Sequence, residues 1–573
     1  MGSPAGLADA SPAEPGVDAA PKNAGLPGLD GFYYDGLPTG LNYNPAHFKT
    51  ADAPCLWDPV HKKPLLNNFF SSCQFARAAA EALRPRGAVT MMNGALEASF
   101  YVAPWLDVLG SETGLRLSRE QLNYIRSITY KKPFLTLLKG NYEQQIGRDE
   151  VQKYIKQCLA YGIPAGFFDW PTSGLGPGSR YWDHPRYYER DRDLFGLYMP
   201  VACTLARIGW EPVPYARSSE PKVYVERFGP SNDGLIWWTV MNEDTKPHKV
   251  TLQIEPSGLQ IDPGVVRAVD AISGKPIPLD QADGRLLAQV DLEAGDVRVL
   301  QLGRPGQLVR WRIAQAVETL DRGMRMRRLD RQKPARAVHW RPGGSGYGRE
   351  KAERGWELLF TGNGRSPASA SQWAMLFQQK AAPVVLRVRA AAEGLKGPAD
   401  QIGVRCRAAW VTPSFAHYET RFLPLPPGSY AARDFELRID LPQPLRAVEI
   451  TPTIGPAVQG KLRLAKISLA DPAAQREYVV DPEFTEWYEP VPESLWQPIE
   501  DACQEIRRCL LEVLEKSDPA EASCLRSLEG IKVRCEKVHK LIRGAGAEAG
   551  CRRVLRDLAT VGRHLDAAAA VRP

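Results

Sequence analysis

No stretch of the sequence approaches the ~18 uninterrupted apolar residues that a membrane-spanning helix needs. The first 29 residues, rich in Ala, Pro and Gly, have neither the basic segment nor the apolar run of an export signal. The expectation is a soluble chain with no membrane partner and a disordered leader over 1–29. Its cellular address stays unknown, secreted or periplasmic if a lost N-terminus carried a signal. Cysteine is sparse, ten in 573 residues, and none makes a CxxC or pairs with His at zinc spacing. No disulfide scaffold, no structural zinc and no other metal or cofactor are therefore expected. Cys503, Cys509, Cys524, Cys535 and Cys551 crowd the tail, where they either bridge helices or are small buried side chains. The net charge of +7 is too small for a chain of this size to indicate nucleic acid.

What is present is ordinary globular composition, 44% hydrophobic, on a chain long enough for three or four domains of ~150 residues. Short apolar or aromatic runs, each ending in a polar residue, recur at GFYYDG (31–36), AVTMMNG (88–94), LDVLGSE (106–112), FLTLLKG (134–140) and AGFFDWP (165–171). Amphipathic helical patterns over 69–83, 119–130, 149–161 and 191–208 separate most of them, the second opened by the cap Ser118 ahead of Glu120. Buried strands alternating with helices predict a parallel sheet. From about Pro221 to Leu302 the period drops to two, as in GLIWWTVMNE and HKVTLQI, which predicts an antiparallel β-sandwich.

Arg304–Trp340 holds ten Lys/Arg against three Asp/Glu, and Val309, Ile313, Val317, Leu320 and Met324 form one apolar helical stripe opposite the arginines. Strand patterns resume from Trp356 to Ala470 and predict a second, jelly-roll-like sandwich, followed by two or three helices after Trp496. The predicted fold is thus a multidomain α/β plus all-β chain. Its segments are a leader (1–29), a parallel sheet under helices (30–215), a β-sandwich (216–303), a basic amphipathic helix and linker (304–340), a jelly-roll-like sandwich (341–490) and a helical bundle (491–573).

In a (β/α) barrel, chemistry gathers where the loops after the strands converge. That rule selects Asp35, Asn93, Glu112, Lys139 and Asp169 at five successive strand ends. Asp35 and Glu112 are the natural pair of carboxylates for cleaving a glycosidic bond, one to protonate the leaving oxygen and one to attack the sugar or activate water. Taken singly, each strand-terminal Asp serves equally well as a backbone cap. Phe32, Tyr33, Tyr34, Trp57, Tyr101, Trp105, Trp170, Tyr181 and Trp182 supply flat apolar faces for sugar rings or for the core. Trp57, Trp170 and Trp182 are the candidates to face a ligand, because each adjoins a carboxylate (Asp58, Asp169 and Asp183) that apolar packing does not require; His184 stands beside Asp183.

The succession DGFYYDG, a strand ending in Asn, then LGSE, KG and FFD, followed by ERFGP, DGLIWWTVMNEDTKPHKVTL and DVRVLQL, resembles the C-terminal half of a barrel-type glycoside hydrolase of the broad α-galactosidase-like group. The resemblance covers roughly residues 30–302. It implies that 30–215 is a partial (β/α)8 barrel of catalytic type, strands four to eight, with Asp35 as a retaining nucleophile and Glu112 as acid/base. Asp169, Asn93 and Lys139 would hold sugar hydroxyls, and the partner would be an oligo- or polysaccharide. A Glu at position 112 departs from the Asp commonest in that group.

Strands one to three would need on the order of 90 residues before Gly31, at ~30 per βαβ unit. The expectation is an incomplete barrel with little or no activity unless a second chain or the basic helix closes it. The alternative functions are a non-catalytic carbohydrate-binding protein and, last, a basic scaffold for acidic polymers.

Overall fold

The computed structural model describes residues 31–35, 37, 41–50, 54–94, 101–112, 117–140, 142, 145–167, 181–182, 185–331, 336–352, 355–411, 416–473, 475–488, 491–516, 522–547 and 551–571. The predicted leader, and with it Asp169, Trp170, Asp183 and His184, lies outside them. The chain forms two compact units, one drawn from Met1–Lys139, Asp149–Phe168 and Arg192–Arg304, the other from Gly140–Arg148, Asp169–Asp191 and Pro305–Pro573.

In the first unit, Gly31–Asp35, Val89–Asn93, Val108–Ser111, Phe134–Leu138 and Ala165–Phe167 form one parallel sheet in strict sequence order. Among the described residues that sheet is open, with Gly31–Asp35 and Ala165–Phe167 at its edges. Gly31 is required where it stands, because a Cβ there would lie 2.0 Å from the Val89 carbonyl oxygen. Helices Asn68–Leu83, Arg119–Thr129, Arg148–Ala160 and Pro185–Ile208 fall where the periodicity places them, the last beginning six residues earlier than its apolar pattern. Ser118 caps its helix in a capping box whose partner is Gln121, three residues on, rather than Glu120. Buried Tyr154 donates its hydroxyl to the carbonyls of Thr136 (2.8 Å) and Gly166 (3.0 Å), tying a helix to two adjacent strands.

A hairpin of Cys55–Asp58 and Lys63–Asn67, with Leu41–Asn42 as a third strand, is inserted between the first parallel strand and the first helix. Trp57 and Asp58 therefore lie on a strand. Next, a four-stranded and a six-stranded antiparallel sheet share one core, in which Val250, Leu252, Leu286 and Ala288 of one sheet meet Ile236, Trp238, Leu300 and Leu302 of the other. This is the sandwich that the period-two pattern predicts.

In the second unit, five- and six-stranded antiparallel sheets enclose a second core that includes Phe360, Leu386, Val388, Val404, Ile450 and Leu464. Helices Pro305–Arg331, Glu493–Leu514, Ala522–Gly544 and Arg552–Ala570 pack in a ring as a four-helix bundle. The basic helix is a member of that bundle rather than a linker. Val309, Ile313, Val317 and Leu320 are buried in it, and Arg310 caps the Glu493–Leu514 helix by donating to the carbonyls of Leu514 (2.5 Å) and Lys516 (2.9 Å). Cys503, Cys524, Cys535 and Cys551 are buried; burial pushes the Cys535 thiol up to about 12.

Candidate functional site

The parallel sheet brings four of the five selected strand ends together. Asp35 and Asn93 are direct register partners on adjacent strands, Glu112 follows the next strand, and Lys139 the one after. Asn93 Oδ1 accepts the Gly94 backbone N–H at 2.8 Å, which fixes the amide orientation and aims its NH2 across the strand ends. That NH2 donates to Asp35 Oδ1 at 2.9 Å and to Glu112 Oε1 at 2.7 Å. The hydrogens of one amide NH2 diverge by about 120°, which for ideally aligned bonds would separate the two acceptor oxygens by roughly 5 Å. Lys139 Nζ reaches Glu112 Oε2 at 3.3 Å. Both Glu112 oxygens thus accept from nitrogen donors.

Tyr33 belongs to the same cluster. Two residues before Asp35 on a strand, it shares that residue's face, while Tyr34 points the other way and meets Phe75 edge-on at 5.4 Å. The Tyr33 hydroxyl titrates above its ordinary value because of burial first, then because of the Asp35 and Glu112 carboxylates, against an opposing hydrogen bond with Asn93. Its ring is half exposed, so it stays accessible. The sequence marked Tyr33 only as one aromatic among nine; its spacing from Asp35 is the signal that separates it.

Asp58 lies elsewhere. Its carboxylate is buried at the hairpin turn, where Tyr43 Oη donates to Oδ2 at 2.6 Å, His61 Nδ1 stands 2.5 Å from Oδ2, and the N–H groups of Val60 (2.8 Å) and His61 (3.2 Å) bond Oδ1. These bonds, Tyr43's first and the His61 side chain's second, hold it well below the usual carboxylate range. Beside it Trp57 is 63% exposed. Trp182, in the second unit, is also about half exposed and lies edge-on against Tyr181 at 4.9 Å. Tyr181 is backed in turn by Asp191, which accepts its hydroxyl at 2.9 Å and pairs with Arg190 at 2.8 Å.

Among the described residues, no cluster of His, Cys, Asp and Glu is arranged to hold a metal ion, and no helix is long and apolar enough to cross a membrane.

No family model and no curated protein matches this sequence. Solved structures similar to parts of it include an isomalto-dextranase of Arthrobacter globiformis T6 complexed with panose, at 11% identity and a TM-score of 0.27, covering 72% of this chain and 67% of that one. A GH27 β-L-arabinopyranosidase from Geobacillus stearothermophilus is 12% identical at a TM-score of 0.28, over 40% of this chain and 54% of its own length. The module TmCBM61, in complex with β-1,4-galactotriose, is 14% identical at a TM-score of 0.16, over 23% of this chain and 86% of its own.

Proposed function

We propose that the open parallel sheet is an arc of a (β/α) barrel and that Asp35 and Glu112 are the carboxyl pair of a glycoside-hydrolase-type site acting on an oligo- or polysaccharide. The observation that carries this reading is the single Asn93 amide bonded to both carboxylates, because it sets their spacing near that required for double displacement at an anomeric carbon. In that mechanism Asp35 attacks the anomeric carbon while Glu112 protonates the leaving oxygen; Glu112 then takes a proton from the water that releases the sugar from Asp35. Asn93, Lys139 and Tyr33 stand where sugar hydroxyls would lie, and Asp169 and Trp170 follow the fifth strand in the chain. Trp57, on the hairpin that follows the Asp35 strand, and Trp182 with Asp183 are further sugar-facing positions in the proposal. Asp58 acts by holding the hairpin turn.

One observation favours the alternative, a carbohydrate-binding protein without turnover. A general acid must present its own O–H to the leaving oxygen. With Asn93 on Oε1 and Lys139 on Oε2, Glu112 serves as an acceptor on both sides until a substrate displaces one donor.

Assay of the full chain against aryl α- and β-glycosides and polysaccharides, beside calorimetric binding of the same sugars, tests both readings. Turnover abolished by Asp35→Asn and by Glu112→Gln would establish the hydrolase reading. Binding without turnover establishes the alternative, and neither turnover nor binding removes the strand-end assignment.

A further inference from the structure

The two outer faces of the second unit's sandwich differ in chemistry. On the six-stranded sheet, cross-strand ion pairs cover the surface: Arg387 with Glu436 (3.0 Å), Arg389 with Asp434 (3.2 Å), and Arg463 with Glu350 and, at 2.8 Å, Glu393. Such a ladder satisfies its own charges and leaves nothing for a ligand.

The five-stranded sheet is built otherwise. Its strands run in the order Arg341–Gly344, Ala368–Met375, Ala447–Ile454, Ile402–Val411, Ala416–Pro424. One row across it reads Trp373, Glu449, Arg407, Thr420. Arg407 pairs with Glu449 at 2.7 Å, and its guanidinium lies 5.2 Å from the Trp373 ring and 4.9 Å from that of Tyr418, which is 45% exposed. The next row holds Arg341 beside Ser371 and Arg405 beside Thr451 and Phe422. Phe422 lies across Gly403, where a Cβ would stand 2.7 Å from its Cζ. Beyond the Trp373 row, Met375, Ala409 and Ala447 are buried, which bounds the open surface at that end.

Charge decides what this surface suits. Arg341 and Arg405 are exposed and have no carboxylate partner among the described residues, whereas Glu449 is already paired. Two guanidiniums therefore stay unbalanced on a face that also offers aromatic rings and the hydroxyls of Ser371, Thr420 and Thr451. Guanidinium forks match planar oxyanions, aromatic rings match the C–H faces of sugars, and the hydroxyls match sugar hydroxyls. Three interstrand steps separate Arg341 from Arg405, roughly 14 Å at ~4.8 Å each, the span of a short oligosaccharide.

We propose that this outer face binds an anionic saccharide chain laid across the strands, its sugar rings against Trp373 and Tyr418 and its carboxylate or sulfate groups on Arg405 and Arg341. The site is separate from the strand-end carboxylates and does not depend on their role.

The test is calorimetric binding to the full chain carrying Asp35→Asn, so that turnover does not consume the probe. The probes are polygalacturonate, dextran sulfate, uncharged dextran and a single-stranded oligothymidylate. The expected result is binding to one or both acidic polysaccharides, weakening with salt. Arg405→Gln and Tyr418→Ala should each weaken it about tenfold, and Arg387→Gln on the opposite face should leave it unchanged. Which acidic polymer binds identifies the acid group. Equal binding of dextran, equal or preferred binding of the oligothymidylate, no binding at all, or indifference to Arg405→Gln would each overturn the proposal. Thermal unfolding at the wild-type midpoint shows that a variant which fails to bind is folded.

Discussion

Asn93 and Asp35 face each other directly across a parallel ladder, and the amide of the first donates to the carboxylate of the second at 2.9 Å. Adjacent strands are ~4.8 Å apart, so backbone pairing sets this spacing and leaves little for flexible side chains to adjust. The same amide reaches Glu112, which follows the end of the neighbouring strand. Asn93→Ala removes the shared donor and leaves two carboxylates without a bridge. If the proposed hydrolase role is right, turnover should fall about a hundredfold in kcat, the usual cost of a lost preorganised donor, with thermal stability changed little at this partly exposed position. Steady-state kinetics beside a melting curve checks both.

Tyr33→Phe deletes the hydroxyl next to the same two carboxylates. Because that hydroxyl titrates above its ordinary value, it stays neutral throughout the neutral range, and if the proposed hydrolase role is right the variant should lose about tenfold in kcat/KM. The signature is spectroscopic: alkaline difference titration of wild type against variant should show one tyrosinate forming above pH 10. A normal titration at this position would refute the description of its surroundings.

His564 links bundle stability to pH. Burial first, then the charges of Arg312, Arg563 and Arg322, lower its imidazole to about 3, against an ordinary 6.5. The unfolded chain therefore binds a proton between about 6.5 and 3 that the folded bundle refuses. The stability is fully present above pH 6.5 and is lost as the pH falls through that window. Unfolding midpoints measured from pH 7 to 4 should fall, and His564→Gln should flatten that slope.

The strands of the parallel sheet were legible because each is an apolar run closed by a polar residue, and the sandwich strands because Ile236–Asn242 and His248–Ile254 keep period two or stay apolar throughout. The hairpin at 55–67 was not. Its strands are four and five residues long, and Pro64 and Lys63 break any strand pattern. The bundle role of the basic helix was half visible. The stripe of Val309, Ile313, Val317 and Leu320 demanded a neighbour, but sequence alone did not say that the tail helices supply it. At the strand ends, residue types were readable and their bonding was not. That Asn93 bridges Asp35 and Glu112, and that Lys139 occupies the second Glu112 oxygen, follows from register between segments distant in sequence.

Thr239 carries a contact that no local pattern announces. Its buried hydroxyl donates at 2.6 Å to the carbonyl of Ala160, the last residue of a helix 79 positions earlier in the chain. Thr239→Val keeps the shape and leaves that carbonyl without its donor, at a cost of about 1–3 kcal/mol. Urea unfolding should show a lower midpoint with an unchanged slope. An unaltered midpoint would mean that water replaces the hydroxyl.

The last expectation concerns the hairpin that presents Trp57. Asp58 holds its turn through two side chains and two backbone N–H groups, and those bonds keep the carboxylate ionised well below its ordinary titration range. A lowered carboxylate contributes stability that is present above its unfolded value, near 3.8, and is lost only as the pH falls through the much lower folded value. The turn should therefore persist at pH 4. Asp58→Asn is the sharper probe, since an amide keeps the acceptor that serves Val60 and His61 N–H but puts an NH2 where Tyr43 and His61 need an oxygen. The hairpin should then open, exposing residues 54–67 to limited proteolysis and changing the emission of Trp57. If the proposed role of Trp57 against sugar is right, saccharide affinity falls with it, and Trp57→Ala reproduces that loss without the proteolysis. Proteolysis and emission unchanged in Asp58→Asn would show that the backbone pairing of the hairpin is sufficient without the carboxylate.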